Sequence, residues 1–169
     1  DSRQSRGLGD VYKRQGQACM ASSKIIVESE IAQRFIPAFV EIAKSIKIGD
    51  LSDPETAIGP IISSRQGDRI RSHVADAIEK GATLLHGGDW QGNCCPPTIL
   101  SNVTSAMTVY SEETFGPVTS IYTVDDLESG MQLANDTSYG LSCAIFTTNI
   151  SCLLYKYPSP RDCRLSRMP

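Results

Sequence analysis

Patterns typical of strands alternate with patterns typical of helices along this 169-residue chain, and this alternation limits the possible folds more than any other feature. Short runs rich in β-branched and apolar residues predict five strands: Lys24–Glu28, Thr83–Leu85, Ile99–Val103, Val118–Val124 and Leu141–Thr147. Segments with helical periodicity lie between several of these runs. Strands that alternate with helices predict an α/β fold built in layers.

Three segments carry the helical signals. The first follows Ser29, a possible N-cap, and Pro37 is expected to interrupt or kink it. The second opens with Ser63 and Gln66 in a capping box, and Gly81 suits the position just after its end. The third runs from Asp125 to about residue 135. The predicted apolar stripes are Ile31, Phe35, Phe39, Ile42 and Ile46 in the first helix, and Ile70, Val74, Ala77 and Ile78 in the second.

The two ends of the chain differ in composition from its middle. Residues 1–15 and 151–169 show no clear periodicity and hold eight of the sixteen Lys and Arg residues, whereas residues 16–150 carry a net charge of −8. We expect both ends to be non-native segments resembling translated adapter sequence, with disordered tails as the alternative. Residues 16–150 are then one domain, and its acidity disfavours a nucleic-acid partner.

The remaining composition indicates a cytoplasmic protein. A run of about 18 apolar residues, as a membrane helix requires, is absent from the sequence, and so is an apolar signal-peptide core near residue 1. The cysteines have neither CxxC spacing nor companion histidines, so we expect free thiols in a reducing compartment and no metal site. These cysteines are Cys19, Cys94, Cys95, Cys143, Cys152 and Cys163.

Three short segments are candidates for chemistry. The sequence GQAC at residues 16–19 places Cys19 after a turn of small residues, where a thiol can reach a cleft; a buried, inert cysteine is the alternative. The sequence EETFGPV at residues 112–118 offers carboxylates that can bind ribose hydroxyls and a ring that can pack on a heterocycle. A solvated acidic turn is the alternative. The sequence NDTSYGL at residues 135–141 is explained as a helix-to-strand turn.

The order of these segments resembles the NAD(P)-dependent aldehyde dehydrogenase superfamily. The resemblance rests on Gln-x-Cys at residues 17–19, IGP at 58–60, KGA at 80–82, GG at 87–88, and then the EETFGPV and NDTSYGL segments. It covers residues 16–150 and implies a three-layer α/β catalytic domain, truncated at both ends. The residues around Cys19 and Tyr110 look similar to those of members that act on aromatic aldehydes such as vanillin or salicylaldehyde.

The resemblance also implies roles for individual residues. Cys19 is the expected nucleophile, which forms a thiohemiacetal and then a thioester. Glu113 is expected to bind the nicotinamide ribose, and Phe115 to pack beside the nicotinamide of NAD or NADP. Gln66 and Arg69 lie on the helix that the family places near the adenine-side ribose, although lysine is more usual at the position of Arg69. The family's general-base glutamate, oxyanion asparagine and dinucleotide-binding domain precede the Gln-x-Cys motif.

These implications define the expected function and two alternatives. We expect an oxidoreductase fragment, inactive by itself, from a parent enzyme that is a homo-oligomer and oxidises a small aldehyde. A cysteine-dependent ester hydrolase is the first alternative and requires a histidine partner for Cys19, for which only His73 and His86 are available. A non-catalytic structural or binding module, in which Cys19 is incidental, is the second.

Overall fold

The computed structural model describes residues 16–19 and 21–147, which form a four-stranded sheet with helices on both faces. The terminal segments expected to be non-native, 1–15 and 151–169, lie outside the described residues, as do Cys152 and Cys163, and that expectation stays a prediction. The elements in chain order are β1 (Lys24–Glu28), α1 (Ser29–Lys44), α2 (Ser64–Glu79), β2 (Thr83–His86), β3 (Thr98–Ser101), α3 (Thr108–Ser111), β4 (Val118–Val124) and α4 (Leu127–Asn135).

The sheet has the strand order β1-β4-β3-β2. Strand β4 lies between β1 and β3 and is parallel to both, whereas β2 is antiparallel to β3 at one edge. The central position of β4 explains its composition, because a strand with neighbours on both sides and helices on both faces must be apolar along most of its length. Its first five residues are all buried.

Alternating side chains of the strands divide the core into two parts, one on each face of the sheet. Val27 and Ile121 pack on one face with Phe39 of α1. Leu100 and Tyr122 lie in a second cluster that includes Ile70 of α2, with Leu133 of α4 packed against it. Helix α1, the sheet, and helices α2 and α4 therefore form three layers, which confirms the predicted three-layer α/β architecture.

Helix α1 runs unbroken through Pro37, so the predicted interruption is wrong. Pro37 and Gln33 both lie on the exposed face, where water can bond the carbonyl that a proline leaves without a helical donor. The N-cap is Glu28, and Ser29 is the first helical residue.

The buried face of α1 also differs from the predicted stripe. Ile31 and Ile42 are 53% and 52% exposed. Their neighbours Ala32 and Ala43 are buried, together with Phe39. The small alanines allow the helix to lie close to the sheet, which turns the two larger isoleucines towards solvent.

The predicted strand at Leu141–Thr147 is wrong. The structure has no regular element there, and Leu141, Ile145 and Phe146 are exposed. A strand forms only where another strand bonds to its backbone, and the described sheet pairs β1, β2, β3 and β4 only with one another. An apolar run alone does not supply that partner.

Helix α2 supplies the first testable prediction. Its N-cap, Ser63, accepts a hydrogen bond from the Gln66 backbone, and Gly81 follows its end with a φ of 103°, as the sequence predicts. Ile70 is fully buried, whereas Ile78 is 43% exposed. We expect Ile70→Ala to lower the free energy of unfolding by about 2–5 kcal/mol. Ile78→Ala in the same helix should lower it by less than about 1 kcal/mol.

Urea denaturation of the two variants, followed by circular dichroism, measures this difference. Equal losses from the two substitutions would contradict the burial of Ile70 beneath the sheet.

Within the described part of the chain, no helix is both long enough and apolar enough to cross a lipid bilayer.

Candidate active site

The segment that carries Cys19 is a short turn that leads into β1. The Ala21 backbone N–H donates to the Ala18 carbonyl at 3.0 Å and closes this turn. The Gln17 side-chain oxygen accepts a hydrogen bond from the Ile62 backbone N–H at 2.9 Å. Cys19 itself is exposed. The turn therefore presents a solvent-accessible thiol while its neighbour Gln17 anchors it to the loop before α2.

Gly16 brings this turn into direct contact with the Phe-Gly-Pro turn before β4. A Cβ atom at Gly16 would lie 2.0 Å from the Gly116 carbonyl oxygen and 2.9 Å from the Pro117 nitrogen. Gly16 also has a φ of 65°, which side chains disfavour. A Cβ atom at Gly116 would in turn lie 2.4 Å from the Ile70 side chain. The fold thus joins two motifs that are about 100 residues apart in the sequence, through a contact that only glycine permits.

Helix α2 holds the segment Glu112–Phe115 from the other side. Gln66 donates from Nε2 to the Thr114 carbonyl at 2.8 Å and to the Phe115 carbonyl at 3.1 Å. Arg69 donates from Nη2 to the Glu113 carbonyl at 3.2 Å. Three consecutive carbonyls are therefore held by two side chains one helical turn apart. The sequence did not predict this positioning role for Gln66 and Arg69.

The hydrogen bonds from Gln66 stabilise an unusual backbone conformation at Phe115. Phe115 is half-buried and has a φ of 53°, a left-handed conformation that bulky side chains rarely adopt. Such a conformation costs about 1–3 kcal/mol and persists only where surrounding contacts fix it. The Gln66 amide supplies such contacts, because it donates to the Thr114 carbonyl before Phe115 and to the carbonyl of Phe115 itself.

The two adjacent glutamates have different surroundings. The Glu112 carboxylate lies 3.1 Å from Arg69 Nη2 and forms an exposed ion pair. Among the described residues, no hydrogen bond or ion pair engages the Glu113 carboxylate, and Glu113 is exposed. Of the two, Glu113 is the carboxylate that can accept hydrogen bonds from a ligand.

A buried histidine lies beneath the same segment. His73 is 5% exposed, and its Nδ1 lies 3.1 Å from Thr114 Oγ1. Desolvation by burial lowers the pKa of His73 below its usual value, with the Arg69 guanidinium acting in the same direction. This contact was not predicted from the sequence, although Gln66, Arg69 and His73 have the spacing i, i+3, i+7 that places them on one face of a helix.

The four described cysteines, Cys19, Cys94, Cys95 and Cys143, are free thiols. Burial raises the pKa of the Cys95 thiol to about 12, so it is not a nucleophile at neutral pH. Cys143 is exposed like Cys19 but lies in the irregular segment after α4. Residues 16–19 and 21–147 contain neither a histidine bonded to Cys19 nor a cluster of three potential metal ligands.

The turn that bears the exposed Cys19 thiol thus packs against the turn that bears Glu113 and Phe115. A family model described as the aldehyde dehydrogenase family matches residues 5–156. The chain therefore belongs to the aldehyde dehydrogenase family.

Individual relatives agree with this assignment. Succinate semialdehyde dehydrogenase [NAD(P)+] of Escherichia coli K12 is 43% identical over 141 residues, which cover 82% of this chain and 30% of the relative. Vanillin dehydrogenase of Pseudomonas fluorescens is 38% identical over 136 residues, 80% of this chain and 28% of the relative. A salicylaldehyde dehydrogenase from Pseudomonas putida G7, solved with salicylaldehyde, has a TM-score of 0.81 and 38% identity over 87% of this chain and 30% of its own.

The chain thus spans roughly 30% of the length of the relatives it matches.

Proposed function

We propose that this chain supplies the nucleophile, Cys19, and part of the nicotinamide-ribose site of an NAD(P)-dependent aldehyde dehydrogenase that converts an aldehyde to a carboxylic acid. The observation that carries the proposal is the contact between Gly16 and Gly116. It sets the cysteine turn against the turn that bears Glu113 and Phe115. Membership of the aldehyde dehydrogenase family supports the reaction class.

The chemistry of Cys19 follows from covalent catalysis. The Cys19 thiolate attacks the aldehyde carbon, a C–S bond forms, and the carbonyl oxygen becomes the alkoxide of a thiohemiacetal. The Cys19 backbone N–H contributes to the site that stabilises this oxyanion. Loss of hydride from the same carbon leaves a thioester on Cys19. Water attacks the thioester, the C–S bond breaks, and the acid and the free thiol are released.

Residues of the 112–118 segment fit the nicotinamide end of the cofactor. The exposed Glu113 carboxylate can accept hydrogen bonds from both ribose hydroxyls, and the half-buried Phe115 ring can pack on a planar heterocycle. When bound, the nicotinamide supplies the acceptor for the hydride. Gln66 and Arg69 remain candidates for the adenine-side ribose, and any contact from Gln66 is expected through Oε1, since Nε2 donates to backbone carbonyls.

The two alternatives have less support. An ester hydrolase requires a histidine that activates Cys19, and the described contacts of His73 are with Thr114 and Glu112 instead. A non-catalytic module gives no reason for the packing of an exposed cysteine turn on the Glu113–Phe115 turn. We also infer that the chain by itself does not oxidise aldehydes, because no described side chain hydrogen-bonds Cys19 as a general base, and general bases typically contribute about 10²–10⁴-fold.

A chimera tests the proposed function, because it supplies the rest of the enzyme. Residues 16–147 of this chain replace the matched segment of the Pseudomonas putida G7 salicylaldehyde dehydrogenase, which is 38% identical. We expect NAD(P)-dependent aldehyde oxidation by this chimera and none by the 169-residue chain. A correctly folded chimera that binds cofactor without oxidising any aldehyde would overturn the proposal.

Glu113→Gln and Glu112→Gln in the chimera form a matched pair. A hydrogen bond to a charged group contributes about 1.5–3 kcal/mol, so Glu113→Gln should raise the KM for the cofactor about 10- to 100-fold. Glu112→Gln removes an exposed ion pair that contributes at most about 1 kcal/mol, so its effect should stay below about fivefold. Steady-state kinetics at saturating aldehyde measure both values. Equal effects, or a larger effect at Glu112, would contradict the assignment of Glu113.

A further inference from the structure

One face of α2 contacts every residue of the segment Glu112–Phe115. Gln66 bonds the Thr114 and Phe115 carbonyls, and Arg69 bonds the Glu113 carbonyl and the Glu112 carboxylate. These contacts fix the backbone of the segment and one of its exposed side chains. These contacts do not fix the Thr114 side chain, which points inward between Glu113 and Phe115 and is buried.

His73 is the residue that fixes this inward side chain. Its Nδ1 lies 3.1 Å from Thr114 Oγ1, and both side chains are buried. Its Nε2 lies 3.8 Å from the Glu112 carboxylate, a distance at which attraction favours a proton on Nε2. With that tautomer, Nδ1 is the acceptor and the Thr114 hydroxyl is the donor. Two polar side chains that would otherwise be unsatisfied in the core thereby satisfy each other.

We propose that His73 is a positioning residue: through its hydrogen bond with Thr114, it fixes the orientation in which Glu113 and Phe115 face the ligand site. The functional consequence rests on the proposed role of Glu113 and Phe115, whereas the structural coupling does not. Glu113 and Phe115 flank Thr114 directly, so a rotation of the Thr114 backbone moves both. The Phe115 backbone cannot rotate freely to compensate, because its φ of 53° already lies in a sparsely populated region.

The charges around His73 determine how the contact depends on pH. Arg69 and Asp76 face it from α2, and Glu112 faces it from the held segment. Burial and Arg69 lower the pKa of His73, against the opposite effects of Glu112 and Asp76. Neutral His73 accepts the Thr114 hydrogen, and protonated His73 cannot. As the pH falls through about 6.5, the unfolded chain binds a proton that the folded chain does not, so stability decreases towards acid.

Nuclear magnetic resonance of the isotope-labelled 169-residue chain tests the coupling without any ligand or activity. His86→Gln leaves His73 as the one histidine and assigns its ring signals. We expect the His73 ring to titrate below about 6.5, and the backbone amides of residues 113–116 to shift with the same midpoint. His73→Gln, which does not titrate, should abolish that pH response.

Two substitutions at Thr114 separate the hydrogen bond from packing. Thr114→Val keeps the shape but removes the hydroxyl, and we expect it to displace the amide signals of Glu113 and Phe115 and uncouple them from His73. Thr114→Ser keeps the hydroxyl and should preserve both the positions and the coupling. The proposal would be overturned if the amide signals of residues 113–116 did not shift as His73 titrates. Identical spectra for the valine and serine variants would also overturn it.

The chimera then separates this inference from the proposed function. Loss of one hydrogen bond should raise the KM for the cofactor about three- to tenfold in Thr114→Val, with kcat within about twofold of the parent value. Coupling in the spectra without a change in KM would keep the positioning role of His73 and would count against the cofactor role of Glu113 and Phe115.

Discussion

Cys19→Ala in the chimeric dehydrogenase is expected to lower kcat by a factor on the order of 10⁴ or more. The proposed reaction passes through two species bonded to the Cys19 sulfur, and alanine can form neither of them. Loss of the nucleophile should leave the KM for the cofactor close to the parent value, because Cys19 does not hold the ribose. Formation of the reduced cofactor, measured by its absorbance, gives both parameters.

Cys143→Ala is the matched control for this prediction. Cys143 is also exposed and free, but it lies in the irregular segment after α4. We expect kcat within about twofold of the parent chimera for this variant. Iodoacetamide should inactivate the parent chimera and the Cys143→Ala variant at the same rate. Retention of aldehyde oxidation by Cys19→Ala would exclude Cys19 as the nucleophile.

Gly16→Ala is expected to have the second largest effect, although it adds one methyl group. The new Cβ would lie 2.0 Å from the Gly116 carbonyl oxygen, and a backbone carbonyl cannot move aside as the end of a side chain can. The cysteine turn must therefore shift away from the Phe-Gly-Pro turn. A displacement of about 1 Å at a reacting centre can cost about 10²-fold, so we expect kcat/KM to fall by about that factor or more.

Gly140→Ala controls for the general cost of replacing a glycine. Within residues 16–19 and 21–147, no heavy atom outside its immediate chain neighbours lies within 4 Å of a Cβ at Gly140, and its φ lies outside the left-handed region. We expect kinetic parameters close to the parent values and little change in the free energy of unfolding. Steady-state kinetics together with urea denaturation separate a displaced site from an unfolded protein. Parent-like kcat/KM in a folded Gly16→Ala variant would contradict the contact on which the proposed function rests.

Local signals in the sequence predicted most of the regular elements. The N-cap at Ser63 and the glycine at position 81 mark both ends of α2, since interactions within a few residues satisfy the backbone there; the Gln66 half of the predicted capping box bonds the Thr114 and Phe115 carbonyls instead. The β-branched runs at β1 and β4 correctly indicate strands. The third helix was predicted to begin at Asp125, two residues before its first helical residue, Leu127, because Asp126 provides the cap. Such elements are predictable because the interactions that end them are local.

Elements that depend on distant partners were predicted less well. The apolar run at 141–147 has the composition of a strand, but no described strand bonds to it. The stripe of α1 was predicted from the large apolar side chains, whereas its contact with the sheet uses Ala32 and Ala43. Pairing and close approach are properties of the neighbouring element, and the local sequence does not contain them.

The sequence by itself determined the family, because the Gln-x-Cys and Glu-x-Phe-Gly-Pro motifs occur in the order typical of it. These motifs also supplied the proposed site residues, namely a thiol, a carboxylate and an aromatic ring. Only the tertiary structure decided how these residues are arranged. It placed the two motifs in contact through Gly16 and Gly116, and it paired Glu112 with Arg69, whereas the Glu113 carboxylate has no partner among the described residues. It also buried His73 against Thr114. These contacts join residues roughly 40 to 100 positions apart, so they depend on how α2 and the sheet pack and not on any local pattern.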